Sequence, residues 1–265
     1  MWEEPTGIIT FTTDFGRTGS YVGALRGAAL QRNPRASVVD ISHEVQAQNI
    51  DEGAAILAAA CPVFPAGTVH VGVVDPGVGT ERDGLVIQAG GHWLVGPDNG
   101  LFAPVVRRLG AETACAYRIE NRDWMRSQIS ATFHGRDVFA PVAGMLSRGE
   151  AIAEVGSLCA GWKSEALAAV PEQSDGGWRG QVVTVDGFGN LITNIPGELL
   201  GACSRIAVGG VTLHGLVRTY GDAPDDAKLV ALIGSEGLLE IAAPGGSGAT
   251  VLGVGVGAVV EVWGT

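Results

Sequence analysis

The chain has 265 residues, a net charge of −11, 46% hydrophobic and 17% charged residues. That length fits one large domain or two modest ones, with ample apolar material for a core. The acidic balance (pI about 4.8) argues against a nucleic-acid or anionic-membrane surface, which needs a basic patch.

No apolar run reaches the ~18–20 residues of a membrane span. The opening MWEEPTG is acidic and short, unlike a signal peptide. Cys61, Cys115, Cys159 and Cys203 are widely spaced without a CxxC pair, as expected of reduced thiols. The expectation is a cytoplasmic protein.

In chain order, GIITFTT is a continuous β-branched and apolar run, as in a strand covered on both faces. SYVGALRGAALQRN reads as a helix that ends before Pro34. ASVVDIS is a second strand. Asn49 offers an N-cap, with Glu52 three residues on as in a capping box, ahead of the helix GAAILAAAC. TVHVGVVD is a third strand, LVIQAGGHWLVGPDNG a hairpin, FAPVVRRLG a helix, TACAYRI a strand and DVFAPVAGMLSRG a helix. The alternation predicts an N-terminal α/β domain (1–162) with a mostly parallel central sheet. Residues 163–177 are polar with Pro and Gly and read as a linker. From 178 to 265, β-branched runs punctuated by glycine predict an all-β barrel.

Several residues invite a chemical reading, each beside a plainer one. Asp14 and Asp75 follow two buried strands, and in open α/β sheets ligands bind beyond such strand ends. Asp14 suits ribose hydroxyls, a metal or a helix N-terminus, or is a turn residue; Asp75 is otherwise an Asp-Pro-Gly turn. Arg82 is a surface arginine unless it lies near Asp75. His134 reads equally as structural or functional, and Arg136 and Asp137 as helix-capping residues. No HxH or HExxH spacing supports a zinc site. DGFGN, with Asp186 and Asn190, lacks the dinucleotide fingerprint and reads as a turn, as does the stretch with Ser235 and Glu240.

Six ordered motifs change this picture: TDFG (13–16), VVDPGVGTERDG (73–84), GPDNGLF (96–102), TFHGRDVFAP (132–141), DGFGN (186–190) and GSEGLLEIA (234–242). Together they resemble the S-adenosyl-L-methionine hydrolases, also called S-adenosylmethionine hydroxide adenosyltransferases, relatives of the 5′-fluorinase and 5′-chlorinase. The resemblance implies an α/β domain followed by a β-barrel, and a homotrimer with active sites between the N-terminal domain of one subunit and the C-terminal domain of its neighbour. It implies Asp75, Arg82 and His134 as the catalytic set and Asp14 as the ribose ligand. Asp186, Asn190, Ser235 and Glu240 would bind the methionine and adenine ends of the substrate. No cofactor and no metal are implied.

The expected reaction is attack of water or hydroxide on ribose C5′, giving adenosine and L-methionine. The halogenases carry Tyr in place of the Asp, and the fluorinase has Ser where Gly135 stands, which suggests room for a water at Gly135. Three other readings stay open at this point: a 5′-halogenase such as a chlorinase, a non-catalytic S-adenosylmethionine or nucleoside binder, and a metal-dependent hydrolase using Asp14, Asp75 and His134.

Overall fold

The computed structural model describes residues 4–110, 114–164, 170–174, 176–201 and 203–264, without the side chains of residues 203 and 204. The chain forms two compact units, Met1–Leu167 and Ala168–Thr265. Part of the expected linker, residues 165–169 and 175, lies outside the described residues, as do Thr113 of the strand read as TACAYRI and the side chain of Cys203. Among the described residues, no helix is long and apolar enough to cross a membrane.

The first unit is built on a six-stranded sheet in the order β2-β1-β3-β5-β4-β6. Its strands are β1 (Ile8–Thr13), β2 (Ser37–Ser42), β3 (Val69–Val73), β4 (Gly84–Ala89), β5 (His92–Pro97) and β6 (Cys115–Arg118). The expected parallel sheet is present only in part: β2, β1, β3 and β5 are parallel, whereas β4 runs antiparallel to both β5 and β6. The local cause is the turn at Gly90 and Gly91, with φ of 53° and 83°. Two consecutive left-handed residues close a two-residue hairpin, which forces β4 to oppose β5.

Helices cover both faces of this sheet. On one face, Leu25 and Ala29 of α1 (Tyr21–Arg32) and Val142, Ala143 and Leu146 of α4 (Ala140–Ser147) pack with Ile9, Phe11, Val69 and Val71. On the other, Leu57 of α2 (Ile50–Ala60) and Val105 of α3 (Ala103–Arg108) pack with Leu85, Ile87 and Leu94. Every residue of β3 is buried, and its one polar side chain, His70, lies 2.8 Å from Thr10 Oγ1 and 3.1 Å from His92 Nδ1. Asn49 caps α2 by accepting the Glu52 N–H at 3.1 Å. The return half of the capping box is absent, because the Glu52 carboxylate accepts from the Gln46 N–H instead.

The second unit holds an antiparallel eight-stranded sheet: β11-β10-β14-β8-β9-β13-β12, with β7 attached to β8. The strands are β7 (Glu172–Ser174), β8 (Gly177–Val185), β9 (Leu191–Pro196), β10 (Cys203–Val208), β11 (Val211–Leu213), β12 (Val230–Ile233), β13 (Leu238–Ala242) and β14 (Val259–Gly264). The stretch read as a linker thus contributes β7. The first half of β8 pairs with β14 and the second half with β9. Gly180 sits at this bend, where a Cβ would lie 2.3 Å from Asn194 Oδ1, so only glycine fits. The result is a nearly closed barrel around Val182, Leu191, Ile206, Leu239 and Val260. Its ends, β11 and β12, are not paired with each other among the described residues. The unit is not purely β, since it includes the short helix α5 (Gly248–Leu252).

Candidate active site

The loop from β3 to β4 carries Asp75 and Arg82. Arg82 donates from Nε to Asp75 Oδ1 at 3.0 Å and from Nη2 to Asp75 Oδ2 at 2.5 Å. The same Nη2 lies 2.9 Å from His134 Nδ1. The Asp75 and Arg82 side chains are only 4% and 11% exposed, so water screens this pair little. The guanidinium also stands over the Phe139 ring, 5.3 Å from its centre. Three residues separated by up to 59 positions in sequence thus form one connected group.

A guanidinium has no acceptor and keeps its charge, so His134 Nδ1 is the acceptor and the imidazole proton sits on Nε2. Burial, and then the positive field of Arg82, hold the His134 pKa below its ordinary value, against the opposing pull of Asp75 and Asp137. His134 is therefore a neutral imidazole with a directed Nε2–H.

His134 precedes a π-helical turn, Gly135–Phe139, in which the Ala140 N–H reaches back to the Gly135 carbonyl. Asp137 explains why this turn is held. It is fully buried and accepts from Arg136 Nε and Nη2 (2.6 and 2.8 Å), Arg126 Nη1 (3.3 Å) and the Ser130 N–H (2.9 Å). Burial alone would raise its pKa, but these partners outweigh it and hold the carboxyl below the usual range. Asp137 and Arg136, expected as helix-capping residues, instead anchor the segment bearing His134. A Cβ at Gly135 would meet the Phe15 ring at 3.2 Å and Leu25 at 3.4 Å, tight for a carbon, so an aromatic and an aliphatic side chain face the place where room for a water was expected.

Asp14 leaves the same sheet edge as Asp75, because Thr13 and Val73 are register partners on parallel neighbours. Its Oδ2 accepts the Gln48 N–H at 2.8 Å, presented by a left-handed Gln48 (φ 66°). Thr13 Oγ1 lies 2.8 Å from His43 Nδ1, and the Gly16 N–H reaches the His43 carbonyl at 2.7 Å, which fixes the turn bearing Asp14.

In the second unit, Asp186, Ser235 and Glu240 line one open cleft of about 560 Å³, with Arg218 and Tyr220. Glu240 is buried and accepts from the Tyr220 hydroxyl at 2.5 Å. That bond, with burial and the neighbouring carboxylates, pushes the Tyr220 pKa up to about 12. Asn190 does not line the cleft. It is buried, and its Nδ2 donates to Asp186 Oδ2 at 2.9 Å. Asp186 also accepts the N–H groups of Phe188 and Asn190 on Oδ1, so this pair braces its own turn. Among the described residues, no three His, Cys, Asp or Glu side chains gather in a way that could hold a metal ion.

The chain matches the SAM hydroxide adenosyltransferase N-terminal domain over residues 9–156 and the SAM hydroxide adenosyltransferase C-terminal domain over residues 180–261. It is 40% identical to the (R)-S-adenosyl-L-methionine hydrolase of Salinispora arenicola over 96% of this chain and 97% of that protein. A crystal structure of an uncharacterized conserved protein from Thermotoga maritima superposes with a TM-score of 0.88 at 35% identity, covering 96% of this chain and 99% of that one. The fluorinase of Nocardia brasiliensis is more distant, 27% identical over 89% of each chain. Both units and nearly the whole length are accounted for by one family, and the chain belongs to the SAM hydroxide adenosyltransferases.

Proposed function

We propose that this enzyme hydrolyses S-adenosyl-L-methionine to adenosine and L-methionine, by attack of water or hydroxide on ribose C5′. The observation that carries the reading is Arg82 bridging Asp75 and His134. The leaving group is a neutral thioether and needs no general acid. The demand falls on the nucleophile, because bulk water has a pKa near ~15.7.

Each member of the set answers part of that demand. His134 Nε2–H donates to the nucleophilic oxygen, and the fixed charge of Arg82 favours its hydroxide form. Asp75 is the only one of the three with acceptor capacity left over, so it takes the water's hydrogen bond, orients a lone pair toward C5′ and accepts the proton that water gives up as the C5′–O bond forms and the C5′–S bond breaks. Hydroxide and sulfonium cancel as the bond forms, so a water-poor site strengthens their attraction.

Asp14 would receive a ribose hydroxyl, while the cleft with Asp186, Ser235 and Glu240 would receive the amino-acid end. Asn190 would bear on adenine only through the hydrogen-bonding capacity that Asp186 leaves. No metal or cofactor takes part in this scheme. The assembly that goes with it is a homotrimer, which sedimentation velocity tests directly.

The deciding experiment supplies S-adenosylmethionine in oxygen-labelled water without added metal. Label in the 5′-hydroxyl of adenosine is expected. Unlabelled adenosine overturns the mechanism, and a chloride-dependent 5′-chloro product would favour the halogenase reading instead.

A further inference from the structure

The motif GPDNGLF has no role in the scheme above, yet it touches both ends of the loop that carries Asp75 and Arg82. That loop leaves the end of β3 and enters β4, and β5 lies between those two strands in the sheet. The turn after β5 therefore emerges between the two feet of the loop. Asn99 Nδ2 donates to the carbonyl of Val74 at 2.8 Å, one residue before Asp75. The Asp98 N–H donates to the carbonyl of Asp83 at 2.9 Å, one residue after Arg82. Arg82 Nη1 reaches that same Asp83 carbonyl at 3.4 Å.

The turn is itself rigid. Asn99 Oδ1 accepts the Leu101 N–H at 3.2 Å, and Leu101 is fully buried. Gly96 packs so closely that a Cβ would lie 2.2 Å from the Gly72 carbonyl of β3. A side chain that ties a stiff turn to the backbone next to Asp75 fixes where that carboxylate stands relative to Arg82. Val74 is completely buried, so its carbonyl has little other access to a donor if the bond is lost.

We infer that Asn99 is a positioning residue for the Asp75–Arg82–His134 set, acting through the Val74 carbonyl. The inference rests on the hydrolase reading above. It predicts a loss in turnover rather than in substrate binding, since misplacing a catalytic group by ~1 Å costs on the order of 100-fold.

The test compares wild type with Asn99→Ala and Asn99→Ser. A serine hydroxyl can still accept the Leu101 N–H but is too short to reach the Val74 carbonyl. Steady-state kinetics with S-adenosylmethionine should show kcat reduced about 10- to 100-fold in both variants, with KM changed by less than about threefold. An NMR titration of the His134 ring adds a readout that simple destabilisation would not move. As Arg82 drifts from Nδ1, the His134 titration should shift upward toward an ordinary imidazole.

A kcat within twofold of wild type in both variants overturns the assignment. So does a fall in kcat with the His134 titration unmoved. If both variants are unfolded at assay temperature, Asn99 holds the fold rather than the pair, and the assignment fails. A wild-type protein that releases no adenosine defeats the hydrolase reading instead.

Discussion

Arg82 donates the two N–H groups of a single nitrogen, Nη2, to different partners: Asp75 Oδ2 at 2.5 Å and His134 Nδ1 at 2.9 Å. Neither partner can move without disturbing the other. The arrangement also fixes the histidine tautomer, because Nδ1 must remain unprotonated.

Replacing Asp75 with Asn keeps the shape but places an amide where one guanidinium contact needs an acceptor. Turnover should fall by at least about 100- to 1000-fold, the scale of losing one preorganised electrostatic group. Circular dichroism should show an intact fold. Full activity in Asp75→Asn would remove this carboxylate from the chemistry.

Metal removal should have no effect. Both Asp75 oxygens and His134 Nδ1 are engaged by Arg82, so a cation using them would have to displace a guanidinium. Protein dialysed against a chelator should retain its initial rate. Loss of activity that added divalent metal restores would revive the metal-dependent reading.

Acid should weaken the fold before it breaks the chain's other contacts. Burial is the leading cause holding four imidazoles below their ordinary value of 6.5: His43 at about 4, His70 at about 3, with His92 and His134 also lowered. Below 6.5 the unfolded chain binds protons that the folded chain refuses. Their contribution is complete above pH 6.5 and is lost as pH falls through the window down to about 3. Urea midpoints should be lower at pH 5 than at pH 7.5, and activity should decline on the acid side as His134 Nδ1 gains a proton. A midpoint equal at both values would contradict this.

Asp137→Ala should destabilise the protein by about 3 kcal/mol, because it leaves buried donors without an acceptor. The value sits at the low end for a broken ion pair, since Arg126 and Arg136 are 43% and 30% exposed and can turn to water. Chemical denaturation measures it directly. A loss below about 0.5 kcal/mol would mean that the turn stands without this carboxylate.

Gly135→Ser should not open a halide site. Its Cβ meets Phe15 and Leu25 at 3.2 and 3.4 Å, so the neighbours must shift and about 1–2 kcal/mol of stability is expected to be lost. Product analysis in fluoride should give adenosine alone. A 5′-fluoro product would show that this position sets the nucleophile by itself.

Much of the scaffold was legible because its signals are local. The β-branched and apolar runs of β1 and β3, the Gly90–Gly91 turn and the Asn49 cap depend on neighbours in sequence. The edge strand β7 was not, since Glu172–Ser174 is polar, carries no alternation and exists through its pairing with β8. The positions of Asp75, Arg82 and His134 could be named from motifs, but their connection is a tertiary fact. Asn99 was hidden for the same reason: its reach depends on β5 lying between β3 and β4. Glu240 reads as a surface carboxylate by residue type and is buried because Tyr220 satisfies it. The neighbours of Gly135, Phe15 and Leu25, are likewise a tertiary fact that a missing side chain does not announce.

The π-turn at Gly135–Phe139 gives the helix one residue more than an α-helical turn would hold. Deleting a single residue there would let the segment relax to ordinary α-helix. Because the wider turn absorbs that residue, five residues there sweep nearly the angle of four in an α-helix, so His134 would keep its phase around the axis while Val142 and Leu146 of α4 stayed in the core. The extra residue therefore shows as a local widening beside the imidazole, and a one-codon deletion would separate the need for that widening from the need for the side chains it carries.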